Sequence, residues 1–271
     1  GELPDGQQVG RVGEHHPGWD ATFSAPKSVS VQALVAGDER ILTAHDAAVK
    51  TALEHYERHV VTRVRVDGKI EKQLTNSLTA ATFRHETSRA LDPQLHSHAL
   101  VLNITQGQDG RFRSVGSESL YRLQHELDGI YKIELEARLN QLGYQTTRDE
   151  KGQFEINAVP DQIRDAFSTR SGQVEEELAK HGLSRSDSTA EQRQQATLKT
   201  RADKPTHEDR SALREMWQQQ ARDLDWKPKI PVMGQEKQDE IPKANVAERV
   251  EHSIKVLTEK DAVVSDFSIY K

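Results

Sequence analysis

The chain contains no cysteine, which excludes a disulfide framework and thiolate metal sites, so a bound metal has to be held by nitrogen or oxygen. Long apolar runs are missing as well. The longest, such as ALVLNI at 99–104, are far too short to span a bilayer. The opening GELPDGQQVGRVGEHHPG lacks the basic, apolar and small-residue order of a secretory signal. Nor is there an excess of positive charge: 37 Lys and Arg against 43 Asp and Glu leave a net charge of −6. That argues against a protein whose whole surface traps polyanions, but it leaves room for a local basic face. Arg58, Arg63, Arg65, Lys69 and Lys72 crowd one stretch, and Arg111, Arg113, Arg122, Lys132 and Arg138 another. Either run reads equally well as solvated surface.

What is present has a clear order. WDATFSAPKSVSVQALV alternates enough to predict a strand, broken at Pro26. From Glu39 to about Val61, Ile41, Ala44, Ala48, Ala52 and Tyr56 fall at helical spacing. TRVRVDG and KIEKQLTNSLTAATFRHE predict two strands joined at Asp67-Gly68, a common hairpin signal. LHSHALVLNITQ predicts a strand from Leu95, turned into another through Asp109-Gly110. A helix over 117–142 stops at Gly143, and a further hairpin turns at Lys151-Gly152. This order describes an α+β domain with a central antiparallel β-sheet flanked by helices. Beyond residue 160 the composition shifts to Gln, Arg, Glu, Ala and Ser, with helical segments near 161–181, 187–200 and 206–224 and few large apolar residues. The prolines of KPKIPVMGQEKQDEIPK then predict a linker over 228–243, and 244–271 begins as a helix and ends abruptly.

Three histidines fall within RHETSRALDPQLHSH. Side chains at i and i+2 of a strand share a face, so His96 and His98 aim together while Ser97 points away. His85 comes alongside if ETSRALDPQL returns the strand before it to its neighbour. Three neutral imidazoles without a fourth protein ligand leave open positions, as in a catalytic rather than a structural metal site. With twelve histidines in the chain, an H-x-H pair is equally compatible with ordinary surface or core residues. Ligand histidines usually have a carboxylate partner that fixes the tautomer, and Asp20, in a strand-like segment with no obvious ion-pair partner nearby, is the candidate.

DATFSAPKSVSVQALVAGD, FRHETSRALDPQLHSHALVLNITQ and FSTRSGQVEEELAKHG together resemble conjugative relaxases of the F-plasmid and R388-plasmid type, the MobF class within the HUH endonuclease superfamily. The resemblance covers about residues 1–225. It implies a relaxase catalytic core over 1–160, a helical C-terminal extension over 161–227 that closes over single-stranded DNA, and a helicase-like region starting in 244–271. It implies metal-dependent nicking of one strand at a plasmid transfer origin through a 5'-phosphotyrosine, in the bacterial cytoplasm, with relaxosome accessory proteins and a coupling protein as partners. By position, His85, His96 and His98 match the metal ligands, for Mg, Mn or Zn. Asp20 matches the acidic residue that orients a ligand histidine or helps to activate the tyrosine. Lys27, Arg84 and Arg89 are expected to flank the site and position phosphates, and Arg113, Arg122, Lys132 and Arg170 to line the DNA path, with Trp19 or Phe112 stacking a base.

One departure stands out. The family's nucleophilic tyrosines lie several tens of residues before the FSAPKSVS element, whereas no tyrosine precedes Tyr56 in this sequence. The sequence is therefore expected to be a piece of a longer protein, able to bind metal and DNA but not to nick as it stands. The alternatives are a natural relative that holds an origin hairpin without cleaving it, and a hydrolase that uses metal-bound water.

Overall fold

Pro26 separates a strand from a helix, where alternation predicts a strand on both sides of it. In this computed structural model, which describes residues 16–149, 152–200 and 209–232, strand β1 (Gly18–Ser24) ends just before it and helix α1 (Lys27–Leu34) begins just after it. A proline has a backbone φ suited to a helix start and lacks an N–H that would go unpaired there. The serines beyond it look like the polar half of a strand but are buried on the helix. Their hydroxyls are satisfied by backbone: Leu95 N donates to Ser30 Oγ at 3.0 Å and Ile156 N to Ser28 Oγ at 2.7 Å.

Helix α2 (Glu39–Glu57) follows, capped by Asp38, which accepts from Arg40 N. Strands β2 (Val61–Val66) and β3 (Lys69–Leu74) form a separate two-stranded ribbon. Its turn puts Asp67 at φ 50° and Gly68 at φ 80°, the left-handed pair that a tight hairpin of this hand demands. The strand expected from Lys69 to Glu86 is two strands: Asn76, at φ 49°, turns the chain, and β4 (Ala80–Thr87) joins a different sheet. Strand β5 (Pro93–Leu102) lies between β1 and β4, antiparallel to both. Short strands β6 (Thr105–Gln106) and β7 (Phe112–Arg113) lead to α3 (Ser117–Gln141), and β8 (Thr146–Arg148) pairs with β9 (Phe154–Ile156).

The central sheet has one covered face. Leu95, Ser97, Ala99 and Val101 of β5 are buried there, in a core with Ile41, Ala48, Tyr56, Tyr131, Leu135 and Leu139 from α2 and α3. This core continues past residue 160. Ile163 of α4 (Asp161–Ala166), Phe167, and Leu213, Trp217 and Ala221 of α7 (Arg210–Asp223) belong to it. The helix expected over 161–181 therefore breaks at Phe167, which turns inward. Only Val174 and Leu178 of α5 (Thr169–Ala179) and Ala196 of α6 (Ala190–Lys199) form a second, small cluster.

Residues 228–232 are irregular, and they are tied back where Lys229 O accepts from Gln32 Nε2 and Pro231 O from Arg40 Nη2. The rest of the expected linker, 233–243, the segment 244–271, residues 206–208 of the last expected helix and residues 1–15 lie outside the described residues. Among the described residues, no helix is long and apolar enough to cross a membrane.

Asp38 links the start of α2 to the end of α3. Its carboxylate accepts from the Arg40 guanidinium at 2.8 and 2.6 Å and from the Tyr144 hydroxyl at 2.6 Å. Burial pushes its pKa up, but the hydrogen bonds from Arg40 and Tyr144 together more than offset this and hold it below the ordinary carboxylate value. A carboxyl with a depressed folded pKa stabilises the fold above its unfolded pKa of about 3.9, and that stability is lost as pH falls through the folded value. Asp38→Ala should therefore cost roughly 1–3 kcal/mol in urea unfolding at pH 7, and clearly less near pH 3. An equal cost at both pH values would contradict this account.

Candidate metal centre on the open face of the sheet

Alternation along β5 sends Gln94, His96, His98 and Leu100 to the face opposite the core. Register decides what meets them. His96 lies opposite Ser24 of β1 and His85 of β4, and His98 opposite Thr22 and Phe83. A bulge between His85 and Thr87 ends the regular pairing just beyond the cluster. The three imidazole centroids stand 5.3 Å (His85 to His96), 5.2 Å (His85 to His98) and 5.3 Å (His96 to His98) apart. Rings bound to one ion at about 2.0–2.1 Å with near-tetrahedral angles place their centroids about 5.2 Å apart. Among the described residues no group of three or more histidine and carboxylate side chains has its donors drawn together as around a bound ion; the ring spacing is what is in place.

Two of the rings are oriented by acceptors. His98 Nδ1 lies 2.8 and 3.0 Å from the Asp20 carboxylate oxygens and 3.2 Å from Thr22 Oγ1. Asp20 pairs with Leu100 in register, so it reaches His98 diagonally across the strands. His96 Nδ1 lies 2.9 Å from the carbonyl of Gln94. A carboxylate and a carbonyl only accept, so in both rings Nδ1 carries the proton, and in the neutral ring Nε2 is then the atom that can ligate. Burial, with the neighbouring His85 and His98, lowers the pKa of His96 against the opposing pull of the Gln94 carbonyl, which favours the neutral ring that a metal needs.

The expected cations fare differently. Lys27 donates to Pro93 O at 3.0 Å, at the start of β5. Burial lowers its pKa while Asp92 and Glu155 work in the other direction. Arg84 does not flank the histidines. It pairs with Ser97, an inward position, so its side chain leaves the opposite face of the sheet and pairs with Asp46 of α2. Arg89 sits in the turn between β4 and β5 and has no ion pair among the described residues. Arg113 is held by both oxygens of Asp109 at 2.6 Å, Lys132 by Asp128 at 2.6 Å, and Arg170 donates to Thr197 O at 2.9 Å, tying α5 to α6. Arg122 lies on the exposed side of α3 near Glu126. Trp19 stacks on His16, with centroids 5.1 Å apart, and Phe112 is half-buried in β7. Tyr56, Tyr131 and Tyr144 are core residues, and Tyr121 is exposed on α3.

Two features went unread in the sequence, the docking of α7 and the buried His45. Helix α7 docks beside His85: Arg214 pairs with Glu86 at 3.0 Å, Trp217 Nε1 donates to Leu91 O at 2.8 Å, and a small cavity opens between His85 and Trp217. The basic run read from the sequence lies on the β2–β3 ribbon, with Arg63, Arg65 and Lys72 on one face beside exposed Ile70 and Leu74, and Arg63 and Lys72 both pair with Glu118 of α3. His45 lies under the site, and its only signal was a histidine on the apolar side of α2, between Ile41 and Ala48.

Comparison with known proteins identifies the family. The family model described as TrwC relaxase matches residues 1–224. The multifunctional conjugation protein TraI of Escherichia coli is 38% identical over 218 residues, covering 75% of this chain and 12% of that protein, so the chain spans about an eighth of that relative's length. Among solved structures, conjugative relaxase TrwC in a metal-bound complex with oriT DNA superposes with a TM-score of 0.78 at 39% identity, over 83% of this chain and 79% of that one. TrwC with a 27-mer DNA comprising the recognition hairpin and the cleavage site gives 0.74 at 42% identity, over 77% and 74%. The chain belongs to the TrwC relaxase family.

Proposed function

We propose that this chain is the relaxase domain of a larger conjugation protein, acting in the bacterial cytoplasm on single-stranded or hairpin DNA of a transfer origin. The observation that carries the reading is the tripod of His85, His96 and His98 on the open sheet face, backed by Asp20. These residues fit a divalent cation, Mg, Mn or Zn, and all-imidazole ligation favours the transition metals. When bound there, such an ion would polarise a phosphodiester oxygen and offset the charge that builds in the transition state.

The chain's own residues do the rest. His85, His96 and His98 would hold the ion through neutral rings, leaving its charge intact. Asp20 keeps His98 in the tautomer that ligates. The open face admits a DNA backbone because no described element covers Phe83, which is 50% exposed beside the cluster. In the reaction a tyrosine oxygen bonds to the scissile phosphorus as the bond to the 3'-oxygen breaks. The phenolic proton is released and the 3'-oxygen gains one, so the phosphate stays in diester linkage and the step is reversible. None of the four described tyrosines supplies this oxygen. The β2–β3 ribbon is suited to duplex DNA: a two-stranded ribbon fits the major groove, and Arg65, with no ion pair among the described residues, is free to meet phosphate. Relaxosome accessory proteins and a coupling protein are the partners that the family relationship supports.

Wild-type chain should bind about one Mn or Zn ion in equilibrium dialysis, as three neutral imidazoles with open positions imply. The His96→Ala, His98→Ala double variant should lose it while keeping its circular dichroism; retention of stoichiometric metal in that variant contradicts the tripod. Joined to the tyrosine-bearing segment of a relative, the chain should form a covalent adduct with a labelled origin oligonucleotide and metal. Tight binding without any adduct would favour a non-cleaving hairpin-binding module instead. Arg65→Ala should weaken binding to a hairpin stem and reduce the salt slope by about one phosphate contact; an unchanged slope removes the ribbon from the interface.

A further inference from the structure

Helix α2 reaches the metal tripod from beneath. His45, fully buried, bonds through Nδ1 to the Tyr131 hydroxyl at 2.8 Å and through Nε2 to Ser97 Oγ at 2.8 Å. Ser97 is the residue between His96 and His98. The next residue of α2, Asp46, pairs with Arg84, the residue before His85. Ser97 and Arg84 lie directly opposite each other in the β4–β5 register. Two consecutive residues of one helix thus hold the two strand positions from whose neighbours all three site histidines project on the other face.

The two contacts differ in weight. Asp46 and Arg84 are partly exposed, with half of the Asp46 side chain in solvent, and such a pair contributes little by itself. His45 lies wholly inside. Burial, with the Arg84 guanidinium and His96 nearby, lowers its pKa to about 3, so the ring is neutral, with one donor and one acceptor nitrogen. One hydroxyl must therefore donate to the ring while the other accepts from it. The two hydrogen bonds of the Tyr131, His45, Ser97 chain therefore run in the same sense, from one hydroxyl through the ring to the other. Burial also raises the pKa of Tyr131 far above the ordinary phenol value, so it remains a hydroxyl. A buried, fully satisfied chain of this kind defines one position for the atoms it links.

We propose that His45 is a positioning residue for the metal centre: through Ser97 it sets the height and tilt of β5 and so the convergence of His96 and His98 on the ion. Asp46, through Arg84, does the same more weakly for β4 and His85. The proposal rests on the tripod reading above. Loss of the His45 bond lets β5 shift on its cushion of apolar side chains without unfolding it, because Leu95, Ala99 and Val101 still anchor the strand in the core.

Cobalt(II) tests this, since its visible absorption reports ligand geometry independently of DNA cleavage. In the full chain, His45→Leu and Ser97→Ala should each weaken Co(II) binding about 10–100-fold, the range typical of losing a partner behind a metal ligand. Each should also change the band shape of the loaded protein. The two should not add, because they break one bond. His45→Gln places an amide near the Nε2 position, keeps the Ser97 contact and should restore most of the affinity. Asp46→Ala should have a smaller effect in the same direction. A wild type that binds no Co(II) would remove the tripod, and the proposal with it. If the wild type binds but the variants, melting at lower temperature, retain its affinity and spectrum, His45 is merely structural and the positioning role is overturned. Should His45→Leu fail to fold, Ser97→Ala, which removes a single oxygen, decides alone.

Discussion

The two-residue repeat of β5 is the constraint on which the rest of the structure depends. Leu95, Ser97, Ala99 and Val101 are committed to the core, and this commitment forces His96 and His98 to the other side. A slip of one residue would bury two imidazoles and expose the core set, so burial of one face fixes the register of the other. Both neighbours take their places from that strand. β1 brings Asp20 diagonally to His98, and β4 brings His85 directly across from His96. The hydrophobic effect on one face thus sets the geometry of a polar cluster on the other.

The covered face contributes more than a cushion. A sheet packed only on apolar side chains has its strand positions fixed by shape, and shape tolerates small sliding. The buried polar contacts in this core are directional: Ser30 holds the start of β5 through Leu95 N, and His45 holds its middle through Ser97 Oγ. α7 adds a third hold on the same region through Leu91 O and Glu86, on the two sides of the loop that connects β4 to β5. The loop carrying Arg89 is therefore framed by a helix on one side and the histidines on the other.

Much of this was legible in the sequence because it follows from local rules. The H-x-H spacing placed two rings on one face, Asp67-Gly68 and Gly143 marked a turn and a helix end, and the motifs around them identified the family. The errors have a common physical origin, in that they concern residues whose behaviour is set by what packs against them. Ser28 and Ser30 fall in a stretch that read as strand, but they lie on α1, and the backbone of other strands satisfies them inside the core. Arg84 read as a phosphate ligand because it adjoins His85; adjacency in a strand means opposite faces, and its partner is Asp46. Phe167 read as mid-helix until the core drew it inward and broke the helix there. His45 was invisible because only the tertiary fold brings Tyr131 and Ser97 to its two nitrogens.

The central claim is that three imidazoles from two neighbouring strands converge on one ion. X-ray absorption fine structure of the Zn-loaded chain addresses it most directly. Three histidine nitrogens at about 2.0–2.1 Å, identified by the multiple scattering of imidazole rings, with the remaining positions filled by oxygen ligands, is the result the account predicts. A first shell of oxygen with one imidazole or none would contradict it.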